Sequence, residues 1–271
     1  MPKKNFLWVR EDFRTEDNPA LYNISNFGQK IYAFFIYDEK KFKNRSAQQW
    51  WLYKTLVNFQ NKLNNLGISF KIYAENEVQC IKKLIKSENI DKFYYNTIAR
   101  PDELLIESEI EKNLTSHDIN WKKFESNLLQ DPFSVRKKDN TPFQVFTPYW
   151  RNAEEQYLKN KNFINKKITY KKSVIKEDNN AVLNLILPKK KWFEKFEKFW
   201  TPGEDMAKTL LKSFIKKKIV EYGTNRDIPS VEGTSKLSPY LAFGEISSQT
   251  IFEECYKISQ KKLVSENILT K

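Results

Sequence analysis

Histidine is almost missing from this 271-residue chain, and His117 is the only one. It lies in the polar run Thr115-Ser116-His117-Asp118, which reads as a surface turn, so catalytic triads built on histidine have little to stand on. Cysteine is nearly as scarce. Cys80 and Cys255 lie far apart, form no CxxC pair and have no histidine nearby, which argues against structural zinc and against a disulfide framework. The six glycines, at 28, 67, 203, 223, 233 and 244, make neither GxGxxG nor a P-loop, so a nicotinamide dehydrogenase or an NTPase has no motif support. No stretch approaches the roughly 20 uninterrupted apolar residues of a membrane span, and Met1-Pro2-Lys3-Lys4 lacks the apolar run of a secretory signal. No membrane association is expected, and the expected location is the cytoplasm.

What is abundant is hydrophobic, aromatic and basic. With 40% hydrophobic and 15% aromatic residues, the chain is long enough to bury one large core or two modest ones. The net charge of +13 invites a polyanion partner, because Lys and Arg contacts to phosphates dominate non-specific affinity for DNA. A compositional explanation competes, since only seven of the 47 basic residues are Arg and the chain is also rich in Asn, Ile and Phe. Residues 1–130 carry 20 basic and 17 acidic groups, a balance of +3; residues 131–271 carry 27 and 17, a balance of +10. The later half is the expected polyanion-facing part.

The first half alternates short β-rich runs with helical patterns, the signature of a parallel sheet covered by helices. Five strands are predicted, near Asn5–Val9, Lys30–Tyr37, Ile68–Tyr73, Lys92–Asn96 and Ile119–Phe124. Helices are predicted over Ala47–Leu66, Glu77–Lys86 and Asp102–Leu114, the last with Leu105, Ile106, Ile110 and Leu114 recurring. Residues 131–200, rich in Lys and Asn and broken by Pro132, Pro142, Pro148 and Pro188, read as a long interdomain connection. Helices resume at Thr201-Pro202-Gly203-Glu204, with Thr201 as cap and Ala207, Leu210, Leu211, Phe214 and Val220 as the apolar face. A further helix is expected to open with Ser238 as cap and Pro239 at N1 and to stop at Gly244, and Ser247 is positioned to cap another. Residues 201–271 cannot bury both faces of so few helices, so they are expected to form an incomplete helical domain. The seven tryptophans are assigned to core and domain packing.

Four segments, in order along the chain, resemble the cryptochrome/photolyase family. They are Leu7-Trp8-Val9-Arg10-Glu11-Asp12-Phe13-Arg14-Thr15-Glu16-Asp17-Asn18-Pro19-Ala20-Leu21; Arg45 to Leu56 with its Trp50-Trp51 pair; Phe143-Gln144-Val145-Phe146-Thr147-Pro148-Tyr149-Trp150-Arg151; and Glu232-Gly233-Thr234-Ser235-Lys236-Leu237-Ser238-Pro239-Tyr240-Leu241-Ala242-Phe243-Gly244-Glu245-Ile246-Ser247. The last is similar to the family's flavin-cradling signature. The resemblance implies an α/β, doubly wound, parallel five-stranded Rossmann-like antenna domain over 1–130, a linker over 131–200, and the beginning of an all-α FAD-binding domain over 201–271.

The cradle has a chemical logic of its own. A flavin dinucleotide carries a pyrophosphate, which is held by hydroxyls, a cation and amides at a helix N-terminus. Thr234, Ser235 and Ser238 supply hydroxyls, Lys236 the charge, and Gly233 room for close approach, while the same string also reads as an ordinary helix cap. The resemblance adds Leu237 and Tyr222 to the FAD set and implies a DNA contact for Arg226, whose pairing with Asp227 could equally be structural. Lys236 stands where family members often carry Arg, a point charge in place of a fork. Asp102 and Glu103 align with family positions that hold a 5,10-methenyltetrahydrofolate antenna; acids in a first helical turn are also good helix chemistry, and a deazaflavin antenna or none stays open.

The function so implied is that of a deoxyribodipyrimidine photolyase, which splits cyclobutane pyrimidine dimers in UV-damaged DNA by electron transfer from reduced FAD, acting as a monomer. Family residues that hold the flavin ring and receive the dimer have no counterpart here, so no catalytic residue is assigned, and the chain alone is expected to bind flavin weakly and not to repair. A cryptochrome photoreceptor and a stand-alone chromophore- or polyanion-binding α/β module are the rival readings.

Overall fold

The computed structural model describes residues 3–159, 168, 170, 172, 177–189 and 191–260. Parts of the expected 131–200 connection, and 261–271 of the expected helical domain, lie outside the described residues. Five parallel strands, β1 (Lys4–Trp8), β2 (Ile31–Tyr37), β3 (Ser69–Ala74), β4 (Ile90–Asn96) and β5 (Asn120–Phe124), form one sheet in the order β3-β2-β1-β4-β5. Every predicted strand is present within two residues of its predicted bounds. The order reverses between β1 and β4, which makes the sheet doubly wound.

Side chains alternate across the sheet with the period of two that strands impose. Leu7, Ala33, Phe35 and Tyr37 face one way, onto α1 (Pro19–Ser25) and α2 (Ser46–Asn65) through Leu21, Ile24, Leu56, Phe59 and Leu63. Phe6, Trp8, Phe34 and Ile36 face the other way, onto α3 (Glu77–Ser87) and α4 (Pro101–Ser116) through Ile81, Leu84, Ile110 and Leu114. With both faces covered, β2 can be apolar almost throughout (IYAFFIY), whereas edge strand β5 (NWKKF) exposes most of its residues.

The other edge, β3, is closed by a side chain. Asn179 accepts from the Ile72 N–H at 2.8 Å and donates to the Phe70 carbonyl at 2.8 Å, pairing edge groups that would otherwise face water. Asn179 directly precedes α6 (Asn180–Ile186), which packs Leu183 and Ile186 into the α2 side of the core.

Within the expected connection lie α5 (Phe146–Lys159) and α6, so that stretch holds more helix than its prolines suggest. Beyond it come α7 (Glu204–Lys217), α8 (Tyr222–Asn225), α9 (Ser238–Ala242) and α10 (Ser248–Gln260). Ala207, Leu211, Leu237, Tyr240 and Ile246 from this part join Trp50 and Trp51 of α2 in a third core. Trp51 is its hub, with ring centroids 5.6 Å from Trp200 and 5.0 Å from Tyr240.

Four local expectations need correction. Leu105 and Val220, read as core-facing, are 73% and 68% exposed. Their helices turn other residues inward: α4 buries Glu103 and Glu107, and α7 ends before Val220. Thr201 does not cap α7; the helix starts later, behind Gly203. Ser238 is the first residue of α9 and makes no capping bond; the local hydroxyl bond comes from Ser235, whose Oγ accepts from the Leu237 N–H at 3.4 Å. Ser247 does cap α10, accepting from the Thr250 N–H at 2.9 Å.

Candidate flavin cradle, antenna positions and domain junction

In a doubly wound sheet the crevice for a ligand opens beyond the carboxyl ends of the strands where their order reverses. Here that place is packed with charge. The Arg10 guanidinium, stacked 4.3 Å above the Trp8 ring, pairs with both Glu103 and Glu107. Glu107 also accepts from Thr97 Oγ1 at 2.6 Å and the Ile98 N–H at 2.9 Å. Lys41 bridges Glu77 and Glu103, each at 2.7 Å, and Arg100 reaches Glu11 at 2.7 Å and Glu103 at 3.2 Å. Beside them Asp12 binds the side chains of Asn18 and Asn96, and Asn18 caps α1.

The two antenna candidates therefore differ in their surroundings. Glu103 is buried, with its oxygens engaged by Arg10, Lys41 and Arg100. Burial opposes its ionisation, yet Lys41, Arg10 and Arg100 together hold its carboxyl below the usual range. The Asp102 side chain is 73% exposed and lies 4.0 Å from Arg100 Nε. Of the pair, Asp102 is the one offered to a ligand.

The segment that carries most of the cradle candidates opens on a fold-back. Gly233 packs directly against Asn225 at the end of α8, where a Cβ would stand 2.6 Å from the Asn225 carbonyl, so only glycine permits this approach. This brings the Tyr222–Arg226 stretch beside Thr234. Thr234 and Ser238 are exposed, Ser235 is half-buried, and Lys236 adopts a left-handed φ of +58° with its ammonium on Glu232. Leu237 is buried in the third core and anchors the segment. Tyr222 stacks edge-on against Phe214 at 5.4 Å. Arg226 lies 5.9 Å from the Tyr222 ring, with Nε 3.4 Å from Asp227, so the structural pairing considered for it is present. The exposed Thr234 and Ser238 hydroxyls and the half-exposed Lys236 ammonium are donors of the kind a diphosphate takes, whereas Gly233, expected to leave room for a phosphate, has that room filled by Asn225 and its N–H bonded to the Val231 carbonyl. A phosphate at Lys236 would compete with Glu232 for the ammonium.

Sequence reasoning missed the polar junction that holds these helices to the sheet. Glu204 accepts from the Thr15 N–H and Oγ1, each at 3.0 Å, and from the Glu16 N–H at 3.1 Å, and pairs with Lys208 at 2.7 Å and Lys62 at 3.1 Å. Arg14 donates to the carbonyls of Gly244 at 3.0 Å and Ser126 at 2.8 Å. At Gly244, φ is +62° and a Cβ would run into the Glu11 carbonyl, so the stop glycine also lets the two parts meet backbone to backbone. Glu245 receives Trp51 Nε1 at 3.1 Å and Thr55 Oγ1 at 2.6 Å. The available signal was the run Arg14 to Asp17 facing Gly244-Glu245, all within resembling segments. Among the described residues no cluster of His, Cys, Asp and Glu could hold a metal, and no helix is long and apolar enough to cross a membrane.

Comparison with known proteins agrees with this architecture. Residues 5–167 match the family model described as DNA photolyase. The chain is 27% identical over 257 residues to a deoxyribodipyrimidine photo-lyase of Agrobacterium fabrum, and 30% over 256 residues to one of Alkalihalophilus pseudofirmus. These alignments take in 94% and 91% of this chain but 53% and 52% of those proteins, so the chain spans about half the length of the curated relatives it matches. Cryptochrome-2 of Arabidopsis thaliana is 27% identical over 96% of this chain and 44% of its own length. Among solved structures, a bacterial class III photolyase from Agrobacterium tumefaciens superposes with a TM-score of 0.83 at 25% identity, over 100% of this chain and 56% of that one. A Synechocystis cryptochrome gives 0.80 at 19% identity over 99% and 58%, a likeness of fold. With the sheet order, the matched family model and the relatives in agreement, the chain belongs to the DNA photolyase and cryptochrome family.

Proposed function

We propose that this chain serves light-dependent DNA repair, as part of a deoxyribodipyrimidine photolyase acting as a monomer on cyclobutane pyrimidine dimers. The observation that supports the reading is the exposure of Thr234, Lys236 and Ser238 on a segment anchored by buried Leu237 and folded back at Gly233 onto Asn225. In this reading Thr234, Ser235 and Ser238 hydrogen-bond the pyrophosphate of FAD and Lys236 neutralises it, while Tyr222 and buried Leu237 fix the segment. Reduced FAD, when bound, supplies the electron that splits the dimer; the polypeptide binds and orients it. Arg226 contacts a DNA phosphate, in line with the +10 balance of residues 131–271. Residues 1–130 act as the antenna domain, 131–200 as the connection and 201–271 as the start of the flavin domain. Asp102 receives a 5,10-methenyltetrahydrofolate antenna, with Glu103 beneath it fixing the local charge.

A photoreceptor role is the second reading, favoured by the plant cryptochrome that matches at the same 27% identity as one of the photolyases. UV survival of cells with this reading frame disrupted, recovered in blue light and in darkness, separates the two. Loss of the light-dependent gain in survival is expected. Unchanged photoreactivation would contradict repair and leave the photoreceptor reading.

A further inference from the structure

Glu245 has no solvent exposure and sits at the turn between α9 and α10, against α2. Its partners are donors: Trp51 Nε1, Thr55 Oγ1 and the Gly203 N–H. Among the described residues no cation pairs with it. From the start of α7, Glu204 adds a second buried carboxyl, whose own charge is met by Lys62 and Lys208. α9 contributes the Tyr240 phenol. Arg14, Glu16, Asp17 and Lys208 line a cavity of about 30 Å³ that Glu245 shares. Arg14 spends its donors on Asp17, Ser126, Asn127 and Gly244, while Asp17 is bound by Ser247 and Thr250. A buried carboxylate without a counter-ion is costly, so this environment favours the neutral acid.

The geometry offers hydrogen bonds to either protonation state, but only the acid leaves no buried charge unanswered. As an acid, Glu245 donates from Oε1 to Thr55 Oγ1, and the threonine hydroxyl turns to a carbonyl one turn back in α2, as helical threonine commonly does. As a carboxylate it accepts from Thr55, Trp51 and Gly203, and its charge then faces Glu204. Burial, first, pushes the Glu245 carboxyl up to about 7, with Thr55, Trp51 and Gly203 pulling it back and Glu204 adding to the rise.

We propose that Glu245 is a proton-operated clamp at the junction between sheet and helices: protonated, it locks the α9–α10 turn to α2, and ionised, it loosens that contact. The clamp belongs to the polypeptide itself, whatever cofactor it carries. Because the turn continues directly from α9, the proton also sets how firmly the segment ahead of it is held.

The sign follows from linkage. An acid whose value is raised on folding gives stability that is present at low pH and is lost as pH rises from the unfolded value, near 4.5, toward about 7. Thermal unfolding of the chain, of Glu245→Gln and of Thr55→Val from about pH 5.5 to 8.5 tests this. Glu77, Glu125 and Glu253 are also raised, chiefly by burial, but they are common to all three proteins and cancel in the differences. The parent is expected to lose ~5 °C more than Glu245→Gln across that range. Thr55→Val, lacking a donor that the carboxylate needs, is expected to move the parent's transition to higher pH. In infrared difference spectra against Glu245→Gln, a protonated-carboxyl C=O band of the parent should persist at about pH 6 and fade near neutrality, and should fade later in Thr55→Val. Parallel thermal profiles of parent and Glu245→Gln would overturn the clamp. Should Glu245→Gln not fold, absence of any carboxyl band above about pH 5 in the parent, or an unmoved band in Thr55→Val, would overturn it.

Discussion

At the scale of single residues, buried carboxylates decide how this chain holds together, and each is read by counting what it accepts. Glu204 collects two backbone amides, a hydroxyl and two ammonium groups across the junction. Burial would raise its carboxyl, but Lys208, Lys62 and the Thr15 amide outweigh burial and hold it below the usual range. Its contribution is therefore present above the unfolded carboxylate's value and lost as pH falls through the lower folded one. Glu204→Ala is expected to cost ~3 kcal/mol at neutral pH, because the Thr15 and Glu16 amides lose their buried acceptor. Urea denaturation at pH 7 and again at about pH 3 checks this, and the gap between variant and parent should narrow in acid. Glu245 is the opposite case, a carboxyl raised by burial with no cation paired to it among the described residues.

At the scale of elements, Asn179 stands in for a missing neighbour strand at the β3 edge. Asn179→Ala leaves the Ile72 N–H and Phe70 carbonyl unpaired and should cost ~2 kcal/mol. Hydrogen exchange at the Ile72 amide should accelerate in the variant, and unchanged protection would show the edge to be sealed by something else. The five strands and the helices α2, α3 and α4 were legible in the sequence because their apolar residues repeat with periods of two and 3.6 against a covered sheet. α1 is only seven residues long and its signal is a cap, Asn18, with Pro19 behind it; α5 hides among Lys, Asn and Pro residues. The Thr201 and Ser238 caps misled because good cap residues stood near the real starts while the backbone turned elsewhere. The ion cluster around Arg10 and Glu103 was not legible, since its members come from the turn after β1, the approach to α2, α3 and α4, and only the sheet order places them side by side.

At the scale of the whole molecule, three cores in series explain the shape: two sandwich the sheet, and the third, centred on Trp51, carries the helices that follow. The third core and the polar junction together hold α7, α9 and α10 on the sheet's α2 side. That arrangement presents Thr234, Lys236 and Ser238 outward on a segment whose buried end, Leu237, is fixed. The membership of the family rests on the full architecture, whereas the cradle rests on this one segment. Equilibrium titration of the chain with FAD and with riboflavin, which lacks phosphate, tests the cradle most directly. FAD is expected to bind at least ~10-fold more tightly than riboflavin, with the difference erased in Lys236→Glu, as a charge-assisted contact to phosphate requires. Equal affinity for the two flavins, or an FAD preference that survives Lys236→Glu, would contradict the account.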